Sequence, residues 1–236
     1  MSTLDAKAYS EAQRVLDETD RLMILPLAMG AEELGIPKPS CHECTEAACC
    51  TITIFATLFE VLPLAHFIKS VDGFDTPELR ARLRDQGFRM ETTTPDEWFE
   101  QREPCVFLRD GKCSVYPYRP TRCRSYWVFS PAEMCKPPSG QRVKFANYSR
   151  ATSMVLGSVR EAHQQLGLHE TRKRILLASV PRMTLIALEG TDPDANLKKL
   201  IRSTAWPSDE TITGWIAGAP PADAVARLSE WKGAPL

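Results

Sequence analysis

Between Leu4 and Met23 the apolar residues Leu4, Ala8, Ala12, Val15, Leu16, Leu22 and Met23 recur at intervals dominated by three and four. That is the period of a helix with one apolar face, and it predicts a packing helix over residues 4–25, ended by Pro26 or Gly30. Pro37 and Pro39 then hold the chain extended, because the residue before a proline is pushed out of the helical region. After Cys50 the period changes, and Thr51-Ile52-Thr53-Ile54 alternates like a short strand. Thr57 and Glu60 have the spacing of a capping box and predict a following helix, whose start Pro63 obscures. Thr76-Pro77-Glu78 marks a cleaner helix start, and Gly87 is placed to end that helix. Residues 88–103 are polar and are expected to be irregular.

Further on, Arg119-Pro120 and Ser130-Pro131-Ala132-Glu133 each read as the start of a helical turn, the second as a capping box with proline at its first position. From Val143 to Leu188 the pattern is helical again, with Met154, Val155, Val159, Ala162 and Leu166 on one face, Gly167 as a break, and Ile175, Leu176, Met183 and Ile186 in the second segment. The tail offers short helical candidates at 194–202, 209–217 and 222–231. There is no internal repeat and no low-complexity linker. The expected fold is α+β, mainly α: a single domain over 1–236, with a small irregular cysteine-rich module at 41–135 and one β-hairpin. The module lies between the N-terminal helix 4–25 and a C-terminal helical region at 143–232.

Charge and composition narrow the function. A net charge of −1, with Lys and Arg scattered in ones and twos, lacks the basic stripe of a nucleic-acid binder, so no nucleic acid is expected as partner. The first twenty residues are polar and mixed in charge, unlike a signal peptide, so the protein is expected to be cytoplasmic. The longest apolar run, Thr51 to Ile68, contains Glu60, Pro63 and His66, so it is read as a buried element and no membrane partner is expected. In a reducing compartment eight cysteines point to metal ligation or catalysis before disulfides.

Those cysteines fall into two groups. Cys41, Cys44, Cys49 and Cys50 lie within ten residues, while Cys105, Cys113, Cys123 and Cys135 are separated by seven, nine and eleven residues. Thiolates are soft donors suited to zinc, copper(I) and iron–sulfur clusters, and Cys41-x-x-Cys44 is a knuckle that holds one ion in zinc and iron–sulfur proteins alike. Cys49 and Cys50, being adjacent, project differently and either reach two metals or leave one thiol a bystander. Zinc sites commonly come from two close pairs, so the long, uneven gaps of the second group tilt the reading towards an iron–sulfur cluster over zinc. Arg119, Arg122 and Arg124 stand around Cys123, where they can offset the negative charge of a thiolate-bound cofactor, or else are ordinary surface cations. The competing account of the thiols is that they are small buried hydrophobes.

The segment from Cys105 to Tyr116 carries Asp110-Gly111 between two β-prone runs and predicts the hairpin. A two-residue turn there sets Leu108 opposite Cys113 and turns Cys105 to the other face, because side chains alternate along a strand. A three-residue loop, Arg109-Asp110-Gly111, sets Phe107 opposite Cys113 and keeps both thiols on one face. The second register is expected, because a shared metal site requires it.

The series Cys41-x2-Cys44-x4-Cys49-Cys50, then Pro104-Cys105-x-Phe107-Leu108, then Lys112-Cys113-Ser114-Val115-Tyr116-x2-Arg119-Pro120-x2-Cys123-Arg124 resembles the bacterial zinc- or iron-chelating domain family known by its CxxCxxCC signature. The gap before the paired cysteines is four residues here, where the signature has two. The resemblance covers Cys41 to Cys135 and implies metal chelation through the eight cysteines, with no reaction attached. Flagellin lysine methylases are similar in this cysteine pattern and are thought to carry an iron–sulfur cluster, which makes an iron–sulfur enzyme acting on a protein substrate the alternative. A structural zinc module that presents a surface to a protein partner is a further one.

Other chemistry is thin. His42 sits inside the knuckle, where it is either an exposed residue or a stand-in ligand; His66 is expected to be packed; His163 and His169 form no metal-binding pair. Tyr116, Tyr118, Tyr126 and Trp127, interleaved with arginines, are expected to pack around the module. No phosphate loop, dinucleotide glycine fingerprint or Gly-x-Ser-x-Gly elbow is present.

Overall fold

Residues 9–18 are helical, and the three positions of the predicted apolar face that fall there, Ala12, Val15 and Leu16, are fully buried. The computed structural model describes residues 9–18, 21, 48–124, 131–135 and 178–188. The expected elements at 194–202, 209–217 and 222–231, the segment around Met154 to Leu166, and both prolines before Cys41 lie outside the described residues.

Helix α1, Leu58–Ser70, begins where the capping box foretold: Glu60 N–H donates to Thr57 Oγ1 at 3.3 Å, and Thr57 N–H donates to Glu60 Oε2 at 2.9 Å. Pro63 sits inside this helix without ending it. It removes one backbone donor, a cost offset by the buried Leu58, Phe59, Val61, Leu64 and Ile68 around it. Helix α2, Pro77–Thr92, starts on Thr76, whose hydroxyl accepts from Leu79 N–H at 3.1 Å. Gly87 does not end it. A Cβ there would lie 3.0 Å from the Arg182 backbone nitrogen, so the glycine serves close helix approach. The expected irregularity of 88–103 is overturned as well, because helix α3, Pro95–Gln101, starts on a second capping box between Thr94 and Glu97 and buries Trp98 completely.

The alternating stretch Thr51–Ile54 does not form the expected strand. Ala48–Thr51 is a 3₁₀ turn, and strand β1 is Phe55–Ala56. Its antiparallel partner is β4, Ala178–Ser179, with Phe55 opposite Ser179 and Ala56 opposite Ala178; Val180 N–H adds a bond to Ile54 C=O at 2.9 Å. This corrects the helical reading at 178–179; helix α5, Val180–Leu188, follows. Every residue from 178 to 188 is buried, since α5 packs against both α1 and α2. Within that contact Arg182 Nη1 pairs with Glu91 Oε2 at 2.5 Å, both side chains fully buried, and Glu91 Oε1 accepts from Ser179 N–H at 2.7 Å. One carboxylate thereby ties β4 and α5 to the end of α2.

The core runs from Ile54 and Ala56 through Val61, Leu64, Leu83, Val106, Phe107 and Val115 to Met183 and Ile186, and Cys105, Cys113 and Cys123 pack against its edge. Among the described residues the fold is α+β and mainly α, as the sequence led us to expect, but it has two two-stranded antiparallel sheets where one hairpin was expected: β1 pairs with β4 in addition to the hairpin. No helix of the described residues is long and apolar enough to cross a membrane.

Candidate metal centre

The hairpin pairs β2, Leu108–Arg109, with β3, Lys112–Cys113, and sets Leu108 opposite Cys113. The expected three-residue loop is therefore wrong. Asp110 at φ 49° and Gly111 at φ 72° are both left-handed, the two-residue turn that matches the twist of the strands and that Asp-Gly favours. The feared separation of the thiols does not follow, because Cys105 lies outside the two-residue ladder. It opens a turn in which Leu108 N–H donates to its carbonyl at 2.8 Å, so strand alternation does not govern its side chain.

Two contacts fix Cys105. Its N–H donates to Cys50 C=O at 2.8 Å, which joins the hairpin to the turn carrying Cys49 and Cys50. On the other side the buried Gln86 of α2 donates to Pro104 C=O at 2.8 Å and accepts from Val106 N–H at 2.8 Å, clamping the peptide groups on both flanks. Gln86 also donates to Glu103, whose carboxylate is held in turn by Arg89.

Cys123 rides on α4, Thr121–Arg124. Thr121 N–H donates to the second oxygen of Glu60 at 3.1 Å, so the carboxylate that caps α1 also seats this turn. Tyr118 stacks on Phe67 at 4.6 Å between ring centroids. Of the three arginines expected near a cofactor, Arg124 is buried and spends its guanidinium on the carbonyls of Arg119 and Pro117. Arg119 lies 3.4 Å above the Tyr116 ring centroid, and its field reaches Cys49, Cys113 and Cys123. Arg122 is exposed. Cys135 ends the 3₁₀ turn Ala132–Cys135, and its carbonyl accepts from Arg102 Nη1 at 2.6 Å.

Five thiols thus share one electrostatic neighbourhood. Cys49, exposed, has its pKa lowered to about 7, first by the hydrogen bond from the Cys50 thiol and then, against burial, by Arg119. Cys50 is shifted upward by the same shared bond, by burial and by the thiols of Cys49, Cys105 and Cys113. Burial pushes Cys105 up to about 11, and it raises Cys113 and Cys123 too. Arg82 opposes the shift at Cys105.

Cys41, Cys44 and His42 lie outside the described residues. Among the described residues no three His, Cys, Asp or Glu side chains already stand at the spacing of a metal's ligands. The donor chemistry fits soft metals all the same, because the side chains that could donate to a metal in this neighbourhood are thiols. His66 is exposed, with its ring 4.5 Å from that of Tyr9, so the expected packed histidine is corrected. Gln86 and Arg102 escaped the sequence reading, since neither stands in a motif.

No curated protein and no solved structure matches the chain. The stretch that contains all eight cysteines does match a family model: residues 40–140 correspond to the CxxCxxCC family, described as "Putative zinc- or iron-chelating domain".

Proposed function

We propose that this protein binds metal through its clustered cysteine thiolates, holding zinc or an iron–sulfur cluster, with the uneven spacing of the later cysteines favouring the cluster. The observation that carries the reading is the bond from Cys105 N–H to Cys50 C=O, which brings two groups of thiols that are distant in sequence into one neighbourhood. Cys41 and Cys44, from the segment just before, and Cys135 supply the remaining sulfurs. The module belongs to one domain with its flanks, supported by the pairing of β1 with β4 and the packing of α5 on α1 and α2. Arg119 is suited to balance thiolate charge at the solvent side. A bound zinc ion supplies rigidity, and a cluster supplies one-electron chemistry.

The test is anaerobic purification followed by elemental analysis, sulfide determination and a visible spectrum. Iron with inorganic sulfide and broad visible absorption is the expected result. A colourless protein with stoichiometric zinc would favour the structural zinc module. Failure to retain either metal, both as purified and after anaerobic reconstitution, would overturn the proposal.

A further inference from the structure

Arg102 follows α3 in the left-handed region, at φ 51° and ψ 31°, where glycine is the usual occupant and a side chain is retained at a cost. Its guanidinium lies 3.8 Å from the Phe99 ring centroid. Nη1 donates to Cys135 C=O at 2.6 Å and to Thr51 Oγ1 at 3.3 Å, so one side chain spans the turn after Cys50 and the turn that ends in Cys135. Nε and Nη2 are buried and have no hydrogen-bond partner among the described residues. No carboxylate pairs with this cation there, and the group it reaches electrostatically is the Cys135 thiol.

A guanidinium with buried, unmatched N–H groups and no anion is unfavourable, so its retention calls for an anion that arrives later. A metal held by four thiolates carries net negative charge, and hydrogen bonds from outside the ligand shell tune such centres. We propose that Arg102 is a second charge-balancing residue of the metal–thiolate centre, acting from the Cys135 side as Arg119 does from the solvent side, with Nε and Nη2 the donors to its sulfurs; this rests on the metal-binding reading above. Arg124 is committed to backbone carbonyls and Arg122 to an exposed face, so neither is placed for this role.

The experiment compares the full-length reduced protein with Arg102→Gln and Arg102→Lys. Zinc(II) affinity is measured anaerobically against a chromophoric chelator, beside the thermal unfolding of each metal-free protein. We expect Arg102→Gln to bind zinc about 10- to 100-fold more weakly, and Arg102→Lys, which keeps the charge, to recover most of that loss. If Arg102→Gln does not fold, Arg102→Gly takes its place, because glycine relaxes the left-handed backbone. Unchanged affinity in the neutral variant, or a lysine variant as weak as the neutral one, would overturn the inference, as would failure of both neutral variants to fold. Wild-type protein that takes up neither zinc nor iron would instead remove the metal-binding reading on which it stands.

Discussion

Replacing Gln86 by leucine keeps roughly the volume of the side chain and deletes the clamp on Cys105. Val106 is only 2% exposed, so its N–H, now bonded to Gln86 Oε1 at 2.8 Å, would be left buried without a partner at a cost of about 1–3 kcal/mol. The carbonyl of Pro104, on an exposed residue, turns to water, and losing its bond costs about 0.5–1.5 kcal/mol. Glu103 keeps Arg89, so its loss is small. The total is about 1.5–4.5 kcal/mol, which for a chain of 236 residues corresponds to a fall of roughly 3–18 °C in melting temperature. Urea unfolding of the reduced, metal-free protein reads this directly, with an unchanged slope and a lower midpoint. Gln86→Glu refines the test. It keeps an acceptor for Val106 but sets a buried carboxylate against that of Glu103, so its folded-state pKa is raised. Its penalty is absent below the unfolded pKa of about 4.3 and grows as pH rises, which makes this variant worse at pH 8 than at pH 5. A midpoint within experimental error of wild type for Gln86→Leu would refute the clamp.

In the reduced, metal-free protein iodoacetamide should alkylate Cys49 before Cys105, with a rate that rises through about pH 7, while Cys105 waits until pH approaches 11; peptide mapping resolves the two. The raised thiol also predicts that metal-free stability holds below the ordinary thiol value of 9.0 and drains away as pH climbs towards 11, measurable as a falling urea midpoint. Because Cys50, Cys105, Cys113 and Cys123 hold their protons near neutrality, binding through them must expel protons, and affinity should fall about tenfold per pH unit of acidification for each such ligand. Calorimetry in buffers of different ionisation enthalpy counts the protons, and a count of zero contradicts the ligand assignment. Gly87→Ala gains about 1 kcal/mol of helix propensity but drives a methyl to 3.0 Å from the Arg182 backbone nitrogen, where overpacking costs about 1–3 kcal/mol. A lower unfolding midpoint is expected, and a higher one would show that α5 can give way.

What could be read beforehand was local chemistry. The capping box of Thr57 and Glu60, the Thr76-Pro77 start and the Asp110-Gly111 turn each write their geometry within four residues, and each appears in the fold. The same grammar at Thr94 and Glu97 is masked by the polar residues around it, which have the composition of a loop. Gly87 misled because the reason for a glycine there is Arg182, ninety-five positions away in sequence and adjacent in space. The pairing of Phe55 with Ser179 is equally unwritten locally, since two-residue strands leave no period to detect. For the hairpin, the functional wish for a common face overrode the turn preference of Asp-Gly, and the turn preference won. Of the site, the thiols were legible by type and spacing. The groups that hold them, Gln86 and Arg102, were not, because a clamp and a half-buried cation reveal themselves only by what they touch.

The buried segment 178–188 sets an order of events at birth. A ribosome adding about 5–20 residues per second exposes Cys123 some 3–13 seconds before residue 188 has been made. For that interval α5 is not there to hold α1 and α2 together, and any ion or oxidant nearby meets the thiols on an unfinished fold. Loading of the centre during synthesis and loading after release are therefore different reactions, on an open chain and on a closed one.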